Sequence, residues 1–180
     1  MTELWAVEFN MKKALKIIPF LFLIFLFPSI LLSGQFKVTQ VYDGETLGVG
    51  GRGIELKVRL AGIDAPEISR SRRNTGQPYS GQAKRYLSGL VLNKIINVDR
   101  YGIDPDNRVL GVIYVGTKNV NLELVKAGLA EVSRGKPPKG LDLRPYLQAE
   151  NEARKAAKGM WSMGDKYISP KDWRKMNKRR

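Results

Sequence analysis

The sequence pattern changes abruptly after residue 60, and this change restricts the local fold more than any other feature. Up to that point apolar and charged side chains alternate, the apolar ones being Ile54, Leu56, Val58 and Leu60. This period of two predicts a half-buried β-strand with its charged side chains on the other face. Two carboxylates, Asp64 and Glu67, then follow in a turn where Pro66 makes Ala65 extended and fixes its carbonyl direction. Together with Arg59, these groups can hold a hard metal ion and act on a phosphodiester.

The chain of 180 residues contains no histidine and no cysteine, and these two absences exclude many kinds of site. Histidine-based nucleases, histidine metal sites and Ser-His-Asp hydrolases are ruled out. Cysteine-ligated zinc and thiol catalysis are ruled out as well. Any general base must therefore be Asp, Glu, Lys or Tyr, and no disulfide can stabilise the fold.

The chain is strongly basic, with 31 Lys and Arg against 17 Asp and Glu and a net charge of +14. Residues 35–180 alone retain 28 basic and 15 acidic side chains, a net charge of +13, so the excess belongs to the main domain. A charge of this size favours a polyanionic partner, either nucleic acid or an acidic membrane surface.

Residues 1–34 carry a basic segment followed by a strongly apolar one. Lys12, Lys13 and Lys16 precede the apolar run 17–32, which Pro19 and Pro28 interrupt. This order is typical of an export signal, and the match is best if translation begins at Met11. The run is long for a signal peptide and short for a full membrane span, so a cleaved signal and a membrane anchor both remain open. Either alternative predicts an extracytoplasmic location, secreted or anchored.

The rest of the chain predicts a small barrel of short strands. Strands are expected at residues 36–42, 46–49, 54–63, 95–100 and 108–115. Helices are expected at 80–92, 121–128 and 143–158, with Ser80 and Asn121 as N-caps. The fold class is therefore α+β, mainly β: a five-stranded OB-fold barrel with about three packed helices. We expect this domain to cover residues 35–163, followed by a disordered basic tail at 164–180.

Several short motifs occur in a distinctive order along this domain. They are 41–47, 58–60, 64–67, 76–79, 106–111, 120–121, 125–130 and 159–161. Each is weak alone, but together they span about residues 36–162 and resemble the thermonuclease (staphylococcal-nuclease-like) family. The resemblance implies an OB-fold and a Ca²⁺-dependent phosphodiesterase that cleaves single- or double-stranded DNA and RNA. We also expect a monomer, with membrane association only through the N-terminal segment.

By matching position, the resemblance also implies roles for individual residues. The implied calcium ligands are Glu45, Asp64 and the Ala65 carbonyl. Glu67 would be the general base that orients or deprotonates the attacking water, and Arg59 and Arg108 would grip the phosphate. The chemistry agrees, because calcium prefers oxygen ligands and arginine offers a permanently charged, two-pronged donor to phosphate. Asp43, in contrast, is expected to shape the turn rather than bind metal.

The chain departs from the family pattern at three places. Glu45 stands where the family usually has Asp, and the extra methylene moves the carboxylate by about 1.5 Å. Asp106-Asn107 replaces the usual Tyr-Gly before the second arginine. Arg134 replaces a common aromatic, so contacts with bases are expected to differ. The predicted nucleic-acid contacts are Arg70, Arg72, Arg73 and Arg134.

Other interpretations remain open for the whole chain and for single residues. The domain could be a non-catalytic nucleic-acid-binding OB-fold module, or an adaptor that binds acidic lipid through its basic tail. Glu67 and Asp64 could merely shape a turn, and Arg59 could be a solvated strand residue paired with Glu55. The leading hypothesis is an exported, calcium-dependent nuclease with low sequence specificity.

Overall fold

Eight strands and five helices make up the part of the chain that the computed structural model describes, residues 35–51, 54–69 and 75–177. The strands are β1 (Gln35–Val41), β2 (Thr46–Gly51), β3 (Ile54–Leu60), β4 (Ile63–Asp64), β5 (Ile95–Ile103), β6 (Val109–Val115), β7 (Lys118–Asn119) and β8 (Glu131–Val132). The helices are α1 (Ser80–Val91), α2 (Val120–Lys126), α3 (Arg144–Lys155), a 3-10 helix (Gly159–Lys166) and α4 (Pro170–Met176).

Some expectations fall on residues outside these ranges. They concern the N-terminal segment 1–34, the arginines Arg70, Arg72 and Arg73, and the last three residues of the chain. No helix within the described ranges is both long and apolar enough to cross a membrane.

The five long strands form a closed barrel. β1 pairs antiparallel with β2 and β5, while β3 pairs with β2 and β6 pairs with β5. A parallel pairing of β3 with β6 joins the two ends of this sheet. The expected OB-type barrel, mainly β with packed helices, is confirmed, and β6 is central as its two-sided apolar pattern indicates.

The alternation of apolar residues along the strands decides which side chains fill the barrel. On β3, Val58 and Leu60 are buried, whereas Lys57 is exposed. Helices α1 and α2 cover the barrel with a stripe of buried residues that includes Leu87 and Leu124. Burial of each such side chain contributes about 1.5–3 kcal/mol, so the barrel provides a firm support for side chains at its rim.

The third strand is shorter than expected, and the difference positions the turn that carries Asp64 and Glu67, which we call the acidic turn. The prediction ran to residue 63, but β3 ends at Leu60 and Gly62 adopts a left-handed φ of 78°. The chain then resumes as β4, which pairs with β8 so that Asp64 lies opposite Glu131. Asp64 is therefore held by a second, two-stranded sheet rather than by the barrel itself.

Both predicted N-caps are wrong. Tyr79 precedes α1 in a left-handed conformation with no side-chain cap, and Ser80 is the first helical residue. For α2 the cap is Asn119, whose side chain accepts a hydrogen bond from the Leu122 N–H. Asn121 is instead fully buried within α2, where it bonds the Ile113 N–H and the Ala61 and Gly111 carbonyls. This amide ties the end of β3 to the central strand.

The expectation of a disordered tail is also wrong for residues 170–176. Helix α3 ends at Lys155, a 3-10 helix follows, and the seven-residue helix α4 begins at Pro170. Ser169 caps α4 by accepting a hydrogen bond from the Asp172 N–H at 3.0 Å. A serine cap followed by proline is a standard helix start signal, so the sequence contained evidence for this helix.

Candidate active site

Strand pairing brings two of the predicted site residues, Glu45 and Arg59, to one end of the barrel. The register of β2 and β3 places Thr46 opposite Arg59, and the Leu60 N–H donates to the Glu45 carbonyl at 2.8 Å. Asp43 shapes the preceding turn, as expected, because its Oδ1 accepts from the Glu45 N–H at 2.9 Å. Glu45 and Arg59 thus come together through backbone geometry before any side chain interacts.

The Glu45 carboxylate is buried and fully engaged. It is 5% exposed, and its Oε1 lies 2.8 Å from Arg59 Nη2. Its Oε2 accepts a hydrogen bond from the Ala65 N–H at 3.0 Å. Burial raises the pKa of Glu45 to about 8, although the charge of Arg59 opposes this effect and that of Asp64 adds to it. The buried carboxylates of Glu45 and Asp64 therefore form a site that attracts cations.

Gly44 allows the turn carrying Glu45 to approach the acidic turn. A Cβ at this position would lie 2.8 Å from the Cβ atoms of both Ala65 and Ala83. Real Cβ atoms essentially never come so close, so only glycine permits this packing. The close approach accompanies the hydrogen bond from the Ala65 N–H to the Glu45 carboxylate.

Asp64 forms an ion pair with Arg174, an arginine near the C-terminal end of the chain. The Asp64 side chain is buried, and its Oδ1 and Oδ2 accept from Arg174 Nη1 and Nη2 at 2.8 and 2.7 Å. Arg59 Nη2 lies further away, 3.7 Å from Oδ1. This two-pronged pair with α4 has no counterpart among the sequence predictions.

Glu67 lies beside Asp64 and is more accessible to solvent. Its Oε1 is 2.7 Å from Arg174 Nη1, so the same guanidinium bridges both carboxylates of the acidic turn. The backbone of Glu67 is fixed by Gln77, which accepts from its N–H and donates to its carbonyl at 3.0 and 2.8 Å. The buried Gln77 amide also donates to the Ile168 carbonyl at 2.8 Å. Gln77 lies in the family motif at residues 76–79, but the sequence does not show that it joins Glu67 to Ile168.

Arg108 pairs with two aspartates of the preceding loop rather than with the carboxylates of the acidic turn. Its Nε and Nη2 contact Asp104 Oδ2 at 2.7 and 2.6 Å, and Nη2 lies 2.8 Å from Asp106. Burial lowers the pKa of Arg108, but Asp104, with smaller contributions from Asp106 and Glu45, raises it overall. Because β3 and β6 are parallel neighbours, Arg108 precedes the residue paired with Val58 and lies at the same barrel end as Arg59. No direct bond joins Arg108 to the acidic turn among the described contacts.

Arg134 is bound to an acidic side chain of α3. Its Nη2 donates to both carboxylate oxygens of the buried Glu150 at 2.7 and 2.6 Å. A nucleic-acid contact through Arg134 therefore stays a prediction, and its charge is already partly neutralised. Arg59, in turn, pairs with Glu45, while Glu55 is exposed on the same strand.

A further buried acid, Glu131, lies next to Asp64 on the paired strand. Its Oε2 accepts from the Tyr167 hydroxyl, and its Oε1 has no hydrogen-bond partner among the described residues. Burial raises the pKa of Glu131, and the charge of Asp64 adds to the effect. Glu131 thus favours the protonated form compared with an ordinary glutamate.

The donor chemistry fits a hard cation at Glu45 and Asp64. In the described ranges no group of three or more His, Cys, Asp or Glu side chains is arranged to hold a metal ion. Two buried carboxylates are nevertheless adjacent, and both are neutralised by cationic groups, Arg59 and Arg174. Their oxygens and the Ala65 carbonyl are ligands that Ca²⁺ accepts, with water completing its shell.

The protein is an OB-type barrel with carboxylates and arginines at one rim. A family model described as "Staphylococcal nuclease homologue" matches residues 57–163. The chain therefore belongs to the staphylococcal nuclease homologue family.

Individual relatives agree with this assignment. An "Uncharacterized endonuclease" of Haemophilus influenzae is 36% identical, covering 79% of this chain and 74% of that protein. A "Micrococcal nuclease" of Shigella flexneri is 31% identical, covering 79% and 81%. A "Probable endonuclease LCL3" of Komagataella phaffii is 32% identical and the match covers only 56% of it. The chain thus spans about half the length of this fungal relative.

Proposed function

We propose that this protein is a calcium-dependent endonuclease that hydrolyses phosphodiester bonds of DNA and RNA with low sequence specificity. One observation carries the proposal: Arg59, Glu45, Asp64 and Glu67 meet at one end of the barrel. The family assignment and the names of the relatives support nuclease chemistry independently. The net charge of +14 suits a polyanionic substrate.

In this proposal Glu45, Asp64 and the Ala65 carbonyl hold the calcium ion. Bound there, the ion would supply charge neutralisation for the scissile phosphate and a site for water. The protein's own contribution is the rigid placement of these oxygens, since Glu45 is fixed by the Ala65 N–H and Asp64 by the β4–β8 pair. A deprotonated Glu45 is required, so metal binding and proton release are coupled.

Glu67 and the two arginines would perform the remaining chemistry. Glu67 accepts a proton from the attacking water or orients it, and Gln77 holds its backbone in place. Arg59 is 24% exposed, with Nη2 fixed by Glu45, so its free N–H groups can contact a phosphate oxygen. Arg108, oriented by Asp104, supplies a second fixed charge at the same end. A preorganised donor of this kind lowers the barrier by about 3–4 kcal/mol.

The test is cleavage of single-stranded DNA by the full chain with calcium or with a chelator. We expect cutting only with calcium, and a loss of about 10²–10⁴-fold in Glu67→Gln. Glu152→Gln, which changes an exposed carboxylate on α3, is the matched control and should cut normally. Undiminished cutting by Glu67→Gln, or cutting in the chelator, would contradict the proposal.

A non-catalytic nucleic-acid-binding module is the second candidate. It is favoured by the contacts of Arg174, which engage both carboxylates of the acidic turn. This candidate predicts binding without cleavage at any calcium concentration, with affinity falling steeply as salt rises. The cleavage assay and a salt titration of binding on the same sample separate the two.

We propose further that residues 1–34 direct the chain out of the cytoplasm, as a signal or an anchor. The support is their basic-then-apolar order. Cell fractionation of the full chain and of a chain lacking residues 1–34 tests this directly. Retention of both chains in the cytoplasm would refute it, and liposome co-sedimentation of the shorter chain would instead favour the lipid adaptor.

A further inference from the structure

The last described segment of the chain, residues 168–176, lies directly over the proposed catalytic carboxylates. We call it the C-terminal strap. Its helix α4 carries Arg174, whose guanidinium contacts Asp64 through two nitrogens and Glu67 through one, all at 2.7–2.8 Å. These three bonds connect residues more than a hundred positions apart in the sequence.

The contacts of Arg174 use the oxygens that the reaction needs. Both carboxylate oxygens of Asp64 accept from Arg174, so a calcium ion bound to either at 2.3–2.6 Å would lie next to a guanidinium of like charge, which opposes its binding. Glu67, the proposed base, is also held in an ion pair, because its Oε1 accepts a hydrogen bond from the Arg174 guanidinium. Arg174 and a divalent cation therefore compete for the same place.

The strap has its own attachment to the catalytic turn. Gln77, which fixes the backbone of Glu67, also donates to the Ile168 carbonyl at the start of the strap. Trp173, next to Arg174, lines a small pocket with Met160 and Tyr167. Ser169 caps α4 from the same end. The Arg174 guanidinium is thus carried by an ordered helix, α4, which packs next to the acidic turn.

The same geometry indicates that the strap can be displaced. Arg174 is 39% exposed and α4 has only seven residues, so few buried contacts retain it. Its hydrogen bonds with Asp64 and Glu67 raise the pKa of Arg174 further above its usual range. It stays charged at any working pH, so proton loss from Arg174 does not release it, whereas a competing cation can.

We propose that the C-terminal strap is an autoinhibitory element: Arg174 occupies the cation position between Asp64 and Glu67, and calcium binding requires it to withdraw. The inference rests on the proposed calcium site. In the closed state Arg174 neutralises the carboxylates and keeps the site assembled. In the open state Glu67 is free to act as a base, and calcium takes the place beside Asp64.

The test compares calcium binding by the full chain with that of Arg174→Ala, measured by titration calorimetry without nucleic acid. The matched control is Lys175→Ala, which removes the same charge from the same helix; among the described residues Lys175 pairs with Asp172 and with neither carboxylate of the site. We expect Arg174→Ala to bind calcium about fivefold or more tightly, at the lower end of typical coupling between two ligands, and Lys175→Ala to match the wild type. Arg174→Lys, which cannot span both carboxylates, should be intermediate and guards against misfolding of the alanine variant.

Hydrogen exchange supplies a second measurement on the unaltered protein. Saturating calcium should reduce amide protection within residues 170–177, while protection of β6 stays constant or rises. Calcium binding by Arg174→Ala and Arg174→Lys that is equal to or weaker than that of the wild type would overturn the autoinhibitory role of the strap, but not the calcium site. Unchanged amide protection of α4 under calcium would do the same. If neither wild type nor Arg174→Ala binds calcium, both the strap and the calcium site are wrong.

Discussion

The two halves of the site are built in different ways. The barrel half, Glu45 and Arg59, is fixed by strand register, a close glycine contact and burial. The strap half, Arg174, reaches Asp64 and Glu67 through side-chain ion pairs from a short, partly exposed helix. Preorganised charge of the first kind suits catalysis, whereas displaceable charge of the second kind suits control. In the proposed function, arginine therefore has two roles, and the part of the fold that supports each arginine determines which role it has.

The sharpest test of this difference is to remove each arginine separately. Arg59→Ala should lower cleavage at saturating calcium by about 10²–10³-fold, because a fixed phosphate donor is lost. Arg174→Ala should leave cleavage unchanged at saturating calcium and raise it at limiting calcium. Rates across a calcium titration measure both effects. Equal losses of cleavage in the two variants would show that both arginines contribute to catalysis in the same way, and that Arg174 has no separate controlling role.

The rigidity of the barrel half can be broken at Gly44. Gly44→Ala should destabilise the fold by about 1–3 kcal/mol, because the new Cβ meets Ala65 and Ala83 at 2.8 Å. Gly89→Ala on α1 is the control, since a Cβ there has no neighbour within 4 Å and should be neutral or stabilising by up to about 1 kcal/mol. Urea unfolding of both variants gives the comparison. A neutral Gly44→Ala would mean that the two turns are not tightly packed.

The buried carboxylate of the barrel half predicts a dependence of stability on pH. The pKa of Glu45 is raised from 4.5 to about 8 by burial, so the folded state holds its proton more tightly than the unfolded chain. In a chelator, the free energy of unfolding contributed by Glu45 should therefore fall as pH rises from about 4.5 to about 8. Calcium binding should strengthen over the same interval, because the ion needs the ionised form.

Thermal melts at several pH values measure this effect. Glu45→Gln should flatten the slope between these limits, and Glu152→Gln should not. An unchanged slope in Glu45→Gln would assign the pH dependence to another group.

The smallest expected effect concerns the strap half alone. Ser169→Ala removes the cap of α4 and should cost that helix about 1 kcal/mol. Hydrogen exchange should rise within α4 and remain unchanged in the barrel strands. Thr117→Ala, in an exposed turn, is the control. Faster exchange throughout the barrel would indicate that the strap and the barrel unfold as one unit.

Local patterns predicted Arg59 at a strand end and the carboxylates of the acidic turn, the family resemblance added Glu45, and neither indicated the contacts of Arg174. The alternation in β3 and the carboxylates of the acidic turn are close in sequence, so their proximity follows from one strand and one turn. Two asparagines close to the start of α2, Asn119 and Asn121, satisfy the same capping rule, and only the buried bonds of Asn121 decide between them. The start of α4 was readable from Ser169 and Pro170, but the target of Arg174 depends on tertiary packing.

The proposed function requires that Glu45 and Asp64 together hold one calcium ion. Calorimetric titration of calcium into the wild type and Asp64→Asn tests it most directly, with Asp142→Asn, an exposed aspartate bound to Arg144, as the control. We predict one bound ion with proton release in the wild type and in Asp142→Asn, and no binding in Asp64→Asn. Equal calcium binding by Asp64→Asn and the wild type would contradict the account.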